Sequence, residues 1–422
     1  MQAFFLSFFS NKNFLKIFLL SIFAFLIPRF LPLYAPVDVE KDHNLFKFGL
    51  ENLSDSLIEF LRYGNEGLPF NIALVNNKMA TNQAGKSSAS SLLKKGILLK
   101  YIFSKDCKLK KYINSVQELP LENLENFDLK NIDIFIFDMQ NSGVLDKVAD
   151  YLYKLLEICL KNKKKLIVFD RPNPLGPLVE GPCSGSFSKF ARTLRQAQGE
   201  RPLMVSSSNH MSEFWGPCKD LPFRNSLTIG ELAKYFNFYN FHNQIDLQVV
   251  PMTNYLRSNK LYDLVQYKDN KLNKAKTYLC KNICKLLGQI EPFFVGVGSS
   301  KPFQCIMLPR LNIEQRKWNE LKNILNKRFG IDSFYCSYFD KLENAYYVGL
   351  RLEVNNIEIS IQDVVLTILN FFEKLNVNFK MPKNISLKSE INKNNQTKLA
   401  NFINNIKRIQ IYKPSSTPIL IN

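Results

Sequence analysis

Three aspartates each follow a short apolar run in this chain of 422 residues. They are Asp106, Asp138 and Asp170, and the Arg-Pro-Asn-Pro segment 171–174 follows the third. A carboxyl group at the rim of a sheet can donate or accept a proton, and two such groups in different surroundings can act as acid and base. We therefore treat the three aspartates as candidate catalytic residues. The alternative for each is a structural role in capping a turn or a helix.

The elements that position these aspartates are predicted from alternating apolar runs and helical patterns after residue 65. Such alternation is typical of parallel strands joined by crossover helices, so the sequence predicts an α/β fold. Ligands of such sheets bind outside the carboxyl ends of the strands, where all three carboxyl groups would project around one pocket. Strands are predicted at 70–75, 98–103, 132–137, 165–169 and 246–251, and helices at 88–95, 144–161 and 232–238. The Thr228-x-x-Glu231 spacing predicts a capping box.

The order of elements changes beyond residue 303. A strand is predicted at 346–354, an amphipathic helix at 361–375 and a polar helix at 388–408. This mixed order indicates an α+β arrangement. The sequence therefore predicts a first domain over residues 50–289 and a smaller carboxy-terminal α+β domain over residues 290–422.

The chain is strongly basic, with 56 Lys and Arg residues against 37 Asp and Glu residues and a formal net charge of +19. Such a charge favours polyanionic partners, among them nucleic acid, anionic lipid and acidic wall polymers. The lysines are dispersed and form no aromatic-basic stripe, so no nucleic-acid partner is expected. A general drift of the composition toward Lys and Asn also explains the charge.

The amino-terminal segment 1–35 has the pattern of an export signal. Lys12 and Lys16 precede an apolar run at 17–27, which is shorter than the roughly 20 residues that a membrane-spanning helix needs. We predict a signal peptide that is cleaved or kept as a short membrane anchor. The expected location is the periplasm or the cell envelope.

Cysteines and histidines offer little for metal binding. The eight cysteines include no Cys-x-x-Cys pair, and the three histidines lie in polar or loop-like contexts. A zinc site or a histidine-based triad is therefore not expected. The Gly-x-Gly at 296–298 follows no strand-to-helix nucleotide pattern, so we predict no metal and no cofactor.

Five motifs occur in one order along the chain. They are Ala80-Thr-Asn-Gln-Ala-Gly85, Asp138-Met-Gln140, Asp170-Arg-Pro-Asn-Pro174, Glu180-Gly-Pro182 and Leu227-Thr-Ile-Gly-Glu-Leu-Ala233. In these motifs and their spacing, the chain resembles a diverged member of the NamZ-type exo-β-N-acetylmuramidases. The resemblance implies a Rossmann-like amino-terminal domain and a smaller second domain. It also implies a cleft in which N-acetylmuramic acid is released from the non-reducing ends of peptidoglycan fragments.

The resemblance suggests a role for each candidate residue. Asp106 aligns with the proposed catalytic Glu of the family and is the candidate general acid, with Asp138 or Asp170 as the second carboxylate. The candidate substrate-binding residues are Asn82, Gln140, Arg171, Asn173, Glu180 and Arg224. Arg171 can instead be locked in an ion pair with Asp138 or Glu180, and Asn173 can simply hold its loop.

The chain departs from the family pattern at several positions. Replacing Glu by Asp106 withdraws the carboxyl group by about 1 Å, and catalytic geometry tolerates such shifts poorly. Asn225 stands where the family has histidine, and Val297 where it has arginine. The alternative hypothesis is therefore a noncatalytic envelope protein that retains peptidoglycan or sugar binding. Nucleic-acid binding driven by the positive charge is a third and weaker hypothesis.

Residues 192–210 have no counterpart between the Glu-Gly-Pro and Thr-x-Gly-Glu motifs of the family. Gly199, Pro202 and the Ser-Ser-Ser-Asn run at 206–209 are typical of loops. We predict a solvent-exposed insert at this place.

Overall fold

The structure is a computed structural model that describes twelve stretches of the chain. They are residues 46–64, 67–105, 116–141, 143, 147–183, 221–257, 275–288, 290–310, 313–341, 344–354, 358–379 and 394–412. The predicted signal segment, Asp106 and the predicted insert at 192–210 lie outside the described residues. No helix within these stretches is long and apolar enough to cross a membrane.

The larger sheet has six strands in the order β3-β2-β1-β4-β5-β8. Every neighbouring pair in it is parallel. The bounds are β1 Ile72–Asn76, β2 Leu99–Ser104, β3 Gln117–Pro120, β4 Ile134–Asp138, β5 Lys165–Phe169 and β8 Leu247–Val250. β6 (Val179–Cys183) and β7 (Pro222–Asn225) form a separate antiparallel pair.

Helices cover both faces of this sheet, which explains why its central strands β1 and β4 are apolar up to their last residue. β1 and β4 are buried at every residue. One face packs with α1 (Asp55–Tyr63) and α2 (Ser88–Lys94). The other face packs with α3 (Val148–Asn162) and α4 (Ile229–Tyr239). Thr228 and Glu231 form the predicted capping box at the start of α4.

The second sheet has three antiparallel strands in the order β10-β11-β9. Its strands are β9 Cys305–Pro309, β10 Ile331–Asp340 and β11 Ala345–Val354. It shares a core with α5 (Ala275–Leu287), α6 (Gln315–Phe329) and α7 (Ile361–Glu373). α8 (Asn394–Ile406) returns to the core of the first sheet through Leu399, Phe402, Ile403 and Ile406.

The predicted fold class is confirmed: a Rossmann-like parallel sheet is accompanied by a smaller region with an antiparallel sheet. The predicted strands and helices are found with ends that differ by a few residues. The domain boundary near residue 290 stays a prediction. α5 precedes that boundary in the sequence, yet its residues Leu279, Ile283 and Leu287 pack in the core of the second sheet.

Candidate functional site

The carboxyl edge of the larger sheet gathers polar residues from neighbouring strands. Asn76 ends β1 and lies in register with Asp138 at the end of β4 and with Ser104 at the end of β2. Asp170 directly follows β5, the neighbour of β4. The structure therefore brings Asp138 and Asp170 to one edge, as predicted, while Asp106 falls outside the described residues.

Asp138 is held by Arg171 in a buried ion pair. Asp138 is fully buried and Arg171 is 1% exposed. The Arg171 Nε donates to Asp138 Oδ1, and Nη2 donates to Oδ2 at 2.9 Å. Nη1 donates to the Thr81 carbonyl at 2.9 Å, and the guanidinium lies 5.0 Å from the centre of the Phe48 ring. This two-pronged contact uses both Asp138 oxygens, so the pair serves mainly to fix the loop after β5.

Asp170 is a fully buried acceptor for four donors. Its Oδ1 accepts from the backbone N–H groups of Arg171 and Gly230, both at 2.7 Å. Its Oδ2 accepts from the Thr228 hydroxyl at 2.9 Å and from the Tyr412 hydroxyl at 2.7 Å. A Cβ at Gly230 would lie 2.8 Å from the Asp170 Cγ, so this approach requires glycine.

Burial, and after it the nearby negative charge of Glu231, raise the pKa of Asp170 to about 6. Hydrogen bonds from Tyr412, Gly230 and Thr228 act against this rise. Glu231 itself accepts from Arg257, from the Thr228 backbone N–H and from the Ile411 backbone N–H. The surroundings of Asp170 therefore tie α4 and the segment after α8 to the end of β5.

Two side-chain amides at the same edge have an acceptor with no hydrogen-bond partner: Gln140 Oε1 and Asn76 Oδ1. Gln140 Nε2 donates to the carbonyls of Asn141 and Pro172, both at 3.0 Å, which fixes the orientation of the amide. The Asn77 side chain bonds both backbone groups of Gln140. A buried acceptor without a partner is destabilising, and such acceptors in native proteins commonly receive a donor from water or from a ligand.

Sequence reasoning did not identify Asn76. The available signal was the same as for Asp138, because a polar residue ends an otherwise apolar buried run in both strands. Ser104 repeats the pattern at the end of β2 and is 6% exposed. The carboxyl edge is therefore lined by polar groups from three adjacent strands.

Asn173 and Asn82 both stabilise local chain geometry. Asn173 Nδ2 donates to the Leu227 carbonyl, and its Oδ1 accepts from the Leu175 backbone N–H, both at 2.9 Å. Asn82 Oδ1 accepts from the Lys86 backbone N–H at 2.8 Å within a turn. The alternative that Asn173 holds its loop therefore has direct geometric support.

Glu180 and Arg224 connect the β6–β7 pair to α7. Arg224 Nη1 donates to Glu180 Oε2 at 3.0 Å and to the Ile359 carbonyl at 2.7 Å. Glu180 Oε1 accepts from the Ser360 hydroxyl at 3.0 Å and from the Gln362 backbone N–H at 2.5 Å. A carboxylate at the amino-terminal end of a helix is electrostatically favourable, so this pair anchors α7.

Within the described stretches, no group of three or more His, Cys, Asp or Glu side chains has the arrangement of a metal site. Arg171 pairs with Asp138, which was one of the two partners that the sequence left open. Of the nine predicted site residues, eight are described, and Gln140 is the one whose side chain has an unpartnered acceptor.

Residues 72–272 match the family model described as exo-beta-N-acetylmuramidase NamZ, N-terminal. The chain is a NamZ-type protein by this amino-terminal domain. The match covers β1 to β8 and therefore the whole carboxyl edge described above. NamZ-type proteins form a glycoside hydrolase family, and the chain belongs to that group at this coarse level.

Two solved structures of DUF1343 family proteins from Bacteroides fragilis NCTC 9343 have a similar fold. The first aligns with a TM-score of 0.61 at 18% identity and covers 88% of this chain and 100% of its own. The second aligns with a TM-score of 0.59 at 18% identity and covers 88% of this chain and 99% of its own. At this level of identity the likeness establishes the fold alone. No curated protein sequence shows significant similarity to the chain.

Proposed function

We propose that this chain is an exported glycoside hydrolase that releases N-acetylmuramic acid from the non-reducing ends of peptidoglycan fragments. The NamZ family match over residues 72–272 supports the reaction class. The observation that carries the proposal is the pair of buried amides, Asn76 and Gln140, whose acceptors have no partner. Both lie within the matched residues, at the sheet edge where ligands of such folds bind.

The proposed binding chemistry uses these two acceptors. Sugar hydroxyl groups are donors, and a hydroxyl that reaches Gln140 Oε1 or Asn76 Oδ1 would satisfy a buried acceptor that is otherwise destabilising. The amide of Gln140 is already fixed by its two Nε2 hydrogen bonds, so little side-chain freedom is lost on binding. These residues are therefore proposed to select and orient the terminal sugar.

The proposed general acid is Asp106, which follows Ser104 at the end of β2 by two residues. Cleavage of a glycosidic bond requires an acid that protonates the leaving oxygen. Asp138 and Asp170 are both bonded to protein donors through both oxygens, so we assign them to positioning. Asp138 orients Arg171, and Asp170 fixes the start of α4.

A chromogenic N-acetylmuramide tests the reaction directly. The wild-type chain should release the chromophore, and the Asp106→Ala variant should lose about a hundredfold or more of the rate, which is typical of removing a general acid. Asp128→Ala is a matched control, because Asp128 is an exposed aspartate that accepts only a local hydrogen bond, from the Lys130 backbone N–H, among the contacts described. Equal rates for wild type and Asp106→Ala would contradict the assignment.

The alternative proposal is a noncatalytic envelope protein that binds the same sugar. It is favoured by the residues in which the chain departs from the family pattern: Asp106, Asn225 and Val297. Absence of turnover by wild type, together with retained binding of muropeptides in a calorimetric titration, would support this alternative. If wild type neither hydrolyses the muramide nor binds muropeptides, the hydrolase proposal and the noncatalytic alternative are both contradicted.

Export is proposed from the amino-terminal segment, in which Lys12 and Lys16 precede the apolar run at 17–27. A fusion of residues 1–40 to a reporter enzyme that is active only outside the cytoplasm tests it. Activity that disappears when residues 17–27 are deleted would support export or anchoring. If the intact fusion shows no reporter activity, export and anchoring are both contradicted.

A further inference from the structure

Four large aromatic side chains lie exposed on the hairpin formed by β10 and β11, and one of them, Phe334, lies on the opposite face from the other three. Tyr335 is 49% exposed, Phe339 is 45% exposed and Tyr346 is 44% exposed. The two strands pair continuously over ten residues each, so the hairpin is long and regular. Single exposed apolar residues are common in proteins, whereas grouped ones mark interaction surfaces.

The three rings share one face of the hairpin. Alternate residues of a strand point to the same face, and directly paired residues share it. Phe339 pairs with Tyr346, and Tyr335 pairs with Leu350, which is buried in the core formed with α5, α6 and α7. The face therefore begins in the protein core and continues outward as an exposed aromatic surface, which we call the aromatic face.

The charge on the aromatic face is positive. Arg310 follows β9 and donates its backbone N–H to the Tyr346 carbonyl at 2.7 Å. Its guanidinium lies 5.9 Å from the centre of the Tyr346 ring. By the strand register, the charged residues of β10 and β11 lie on the opposite face: Asp332, Asp340, Arg351 and Glu353. Arg310 thus lies beside the Tyr346 ring, and no acidic residue of these two strands shares its face.

We propose that the aromatic face binds the acidic glycan strand of peptidoglycan. The inference rests on the proposed function for its choice of glycan. Pyranose rings have an apolar face of C–H groups that packs against an exposed aromatic ring, and the lactyl carboxylate of N-acetylmuramic acid complements Arg310. Tyr335 and Phe339 are four residues apart on one strand and therefore about 13 Å apart, so a bound glycan has to extend over several sugar units to contact both rings.

The same chemistry of rings and a cation also suits single-stranded nucleic acid, whose bases stack on aromatic side chains. Such platforms carry a groove of basic residues that follows a phosphate backbone, whereas among the described residues the cation in contact with a ring of the aromatic face is Arg310. Binding of an oligonucleotide is therefore included among the outcomes of the test.

Co-sedimentation with insoluble peptidoglycan sacculi tests the proposal. The double variant Tyr335→Ala/Tyr346→Ala should bind sacculi about tenfold or more weakly than wild type, because two stacking surfaces are lost. Arg310→Gln should weaken binding to sacculi and leave binding to a neutral N-acetylglucosamine polymer unchanged. Tyr63→Ala is the matched control, because Tyr63 is 58% exposed on α1, outside the aromatic face, and its removal should not change binding.

Unchanged sacculus binding in both the double variant and Arg310→Gln would overturn the proposal. The proposal would also be overturned if wild type bound a single-stranded RNA oligonucleotide more tightly than sacculi and if the double variant lost this RNA binding. Hydrolysis of the soluble chromogenic muramide by wild type tests the proposed function separately. If wild type does not hydrolyse the muramide but sacculus binding still depends on the rings, the proposed reaction is contradicted and the binding role of the aromatic face is supported.

Discussion

The carboxyl edge of the larger sheet and the aromatic face of the hairpin depart from ordinary protein surfaces in opposite ways. At the carboxyl edge, charged and polar groups such as Asp138, Arg171 and Gln140 are almost completely buried. On the aromatic face, large rings such as Tyr335 and Tyr346 are nearly half exposed. Burial of polar groups and exposure of apolar ones both carry a free-energy cost, and each is common where a protein binds something.

The comparison also separates two kinds of buried polar group. Asp138 and Asp170 have protein donors at both oxygens, so their surroundings explain them without a ligand. Gln140 and Asn76 lie at the same edge, and each has an acceptor that the protein leaves unsatisfied. The first pair supports the architecture of the edge, and we propose that the second pair takes part in recognition. The predictions below test this division, from the largest expected effect to the smallest.

Replacing Arg171 should produce the largest loss of stability. Arg171→Met leaves the Asp138 carboxylate buried without its cation, and breaking a buried pair in this way typically costs about 3–5 kcal/mol. The free energy of unfolding from urea titration measures the change. Lys154→Met is the control, because the Lys154–Glu125 pair is half exposed and should contribute less than about 1 kcal/mol. Similar values for both variants would contradict a supporting role for Asp138.

Asp170 should make stability depend on pH between about 4 and 6. Its folded-state pKa of about 6 lies above the value of about 3.9 for the unfolded chain. The folded state therefore binds more protons in this window, so the contribution of Asp170 to stability is largest at low pH and falls as pH rises through 6. The decrease should be on the order of 2–3 kcal/mol.

The difference in unfolding free energy between wild type and Asp170→Asn, measured from pH 4 to pH 7, isolates this contribution. The difference should change in favour of the variant as pH rises, because the variant has no proton to lose at this position. If the difference in unfolding free energy stays constant across this pH range, the pKa of Asp170 is not raised in the folded protein.

Replacing Asn76 should change stability in the opposite direction. Asn76→Leu removes a buried acceptor without a partner from the end of β1, and we expect a gain of about 1 kcal/mol in unfolding free energy. Affinity for N-acetylmuramic acid should fall at the same time. Urea titration and calorimetric titration of the same preparation measure both effects. A variant with lower stability and unchanged affinity would place Asn76 among the structural residues.

The aromatic face should contribute least to stability. Tyr346 pairs with Phe339 across the hairpin, with ring centres 6.3 Å apart, and such cross-strand pairs contribute about 0.2–1 kcal/mol. Tyr346→Ala should therefore lower the unfolding free energy by about 1 kcal/mol or less in urea titration. A loss of several kcal/mol would mean that the ring is retained for folding, and the binding role of the aromatic face would lose its rationale.

The sequence was sufficient to predict most of the fold because the segments 132–137 and 165–169 have the length and largely apolar composition of buried parallel strands. It also located Asp138 and Asp170, since each is the acid that closes such a run. The roles of these acids could not be predicted in the same way. Tyr412 donates to Asp170 across 242 positions of sequence, and no local pattern indicates that contact.

The exposure of the aromatic rings could also not be predicted from local sequence patterns. The strand over 346–354 was predicted from its apolar and aromatic residues, yet the same pattern fits a strand that is buried along its whole length. Tyr346 is exposed, whereas Leu350 on the same strand is buried in the core formed with α5, α6 and α7, so the difference depends on packing between distant segments. Asn76 was overlooked because the predicted strand 70–75 ends one residue before it.

A high-resolution crystal structure of the chain with N-acetylmuramic acid tests the central claim most directly, namely that the unsatisfied amides at the carboxyl edge receive a sugar. The account predicts sugar hydroxyl groups within hydrogen-bond distance of Gln140 Oε1 and Asn76 Oδ1, with the Asp138–Arg171 pair intact. A sugar bound elsewhere, with ordered water molecules satisfying both amides, would contradict it.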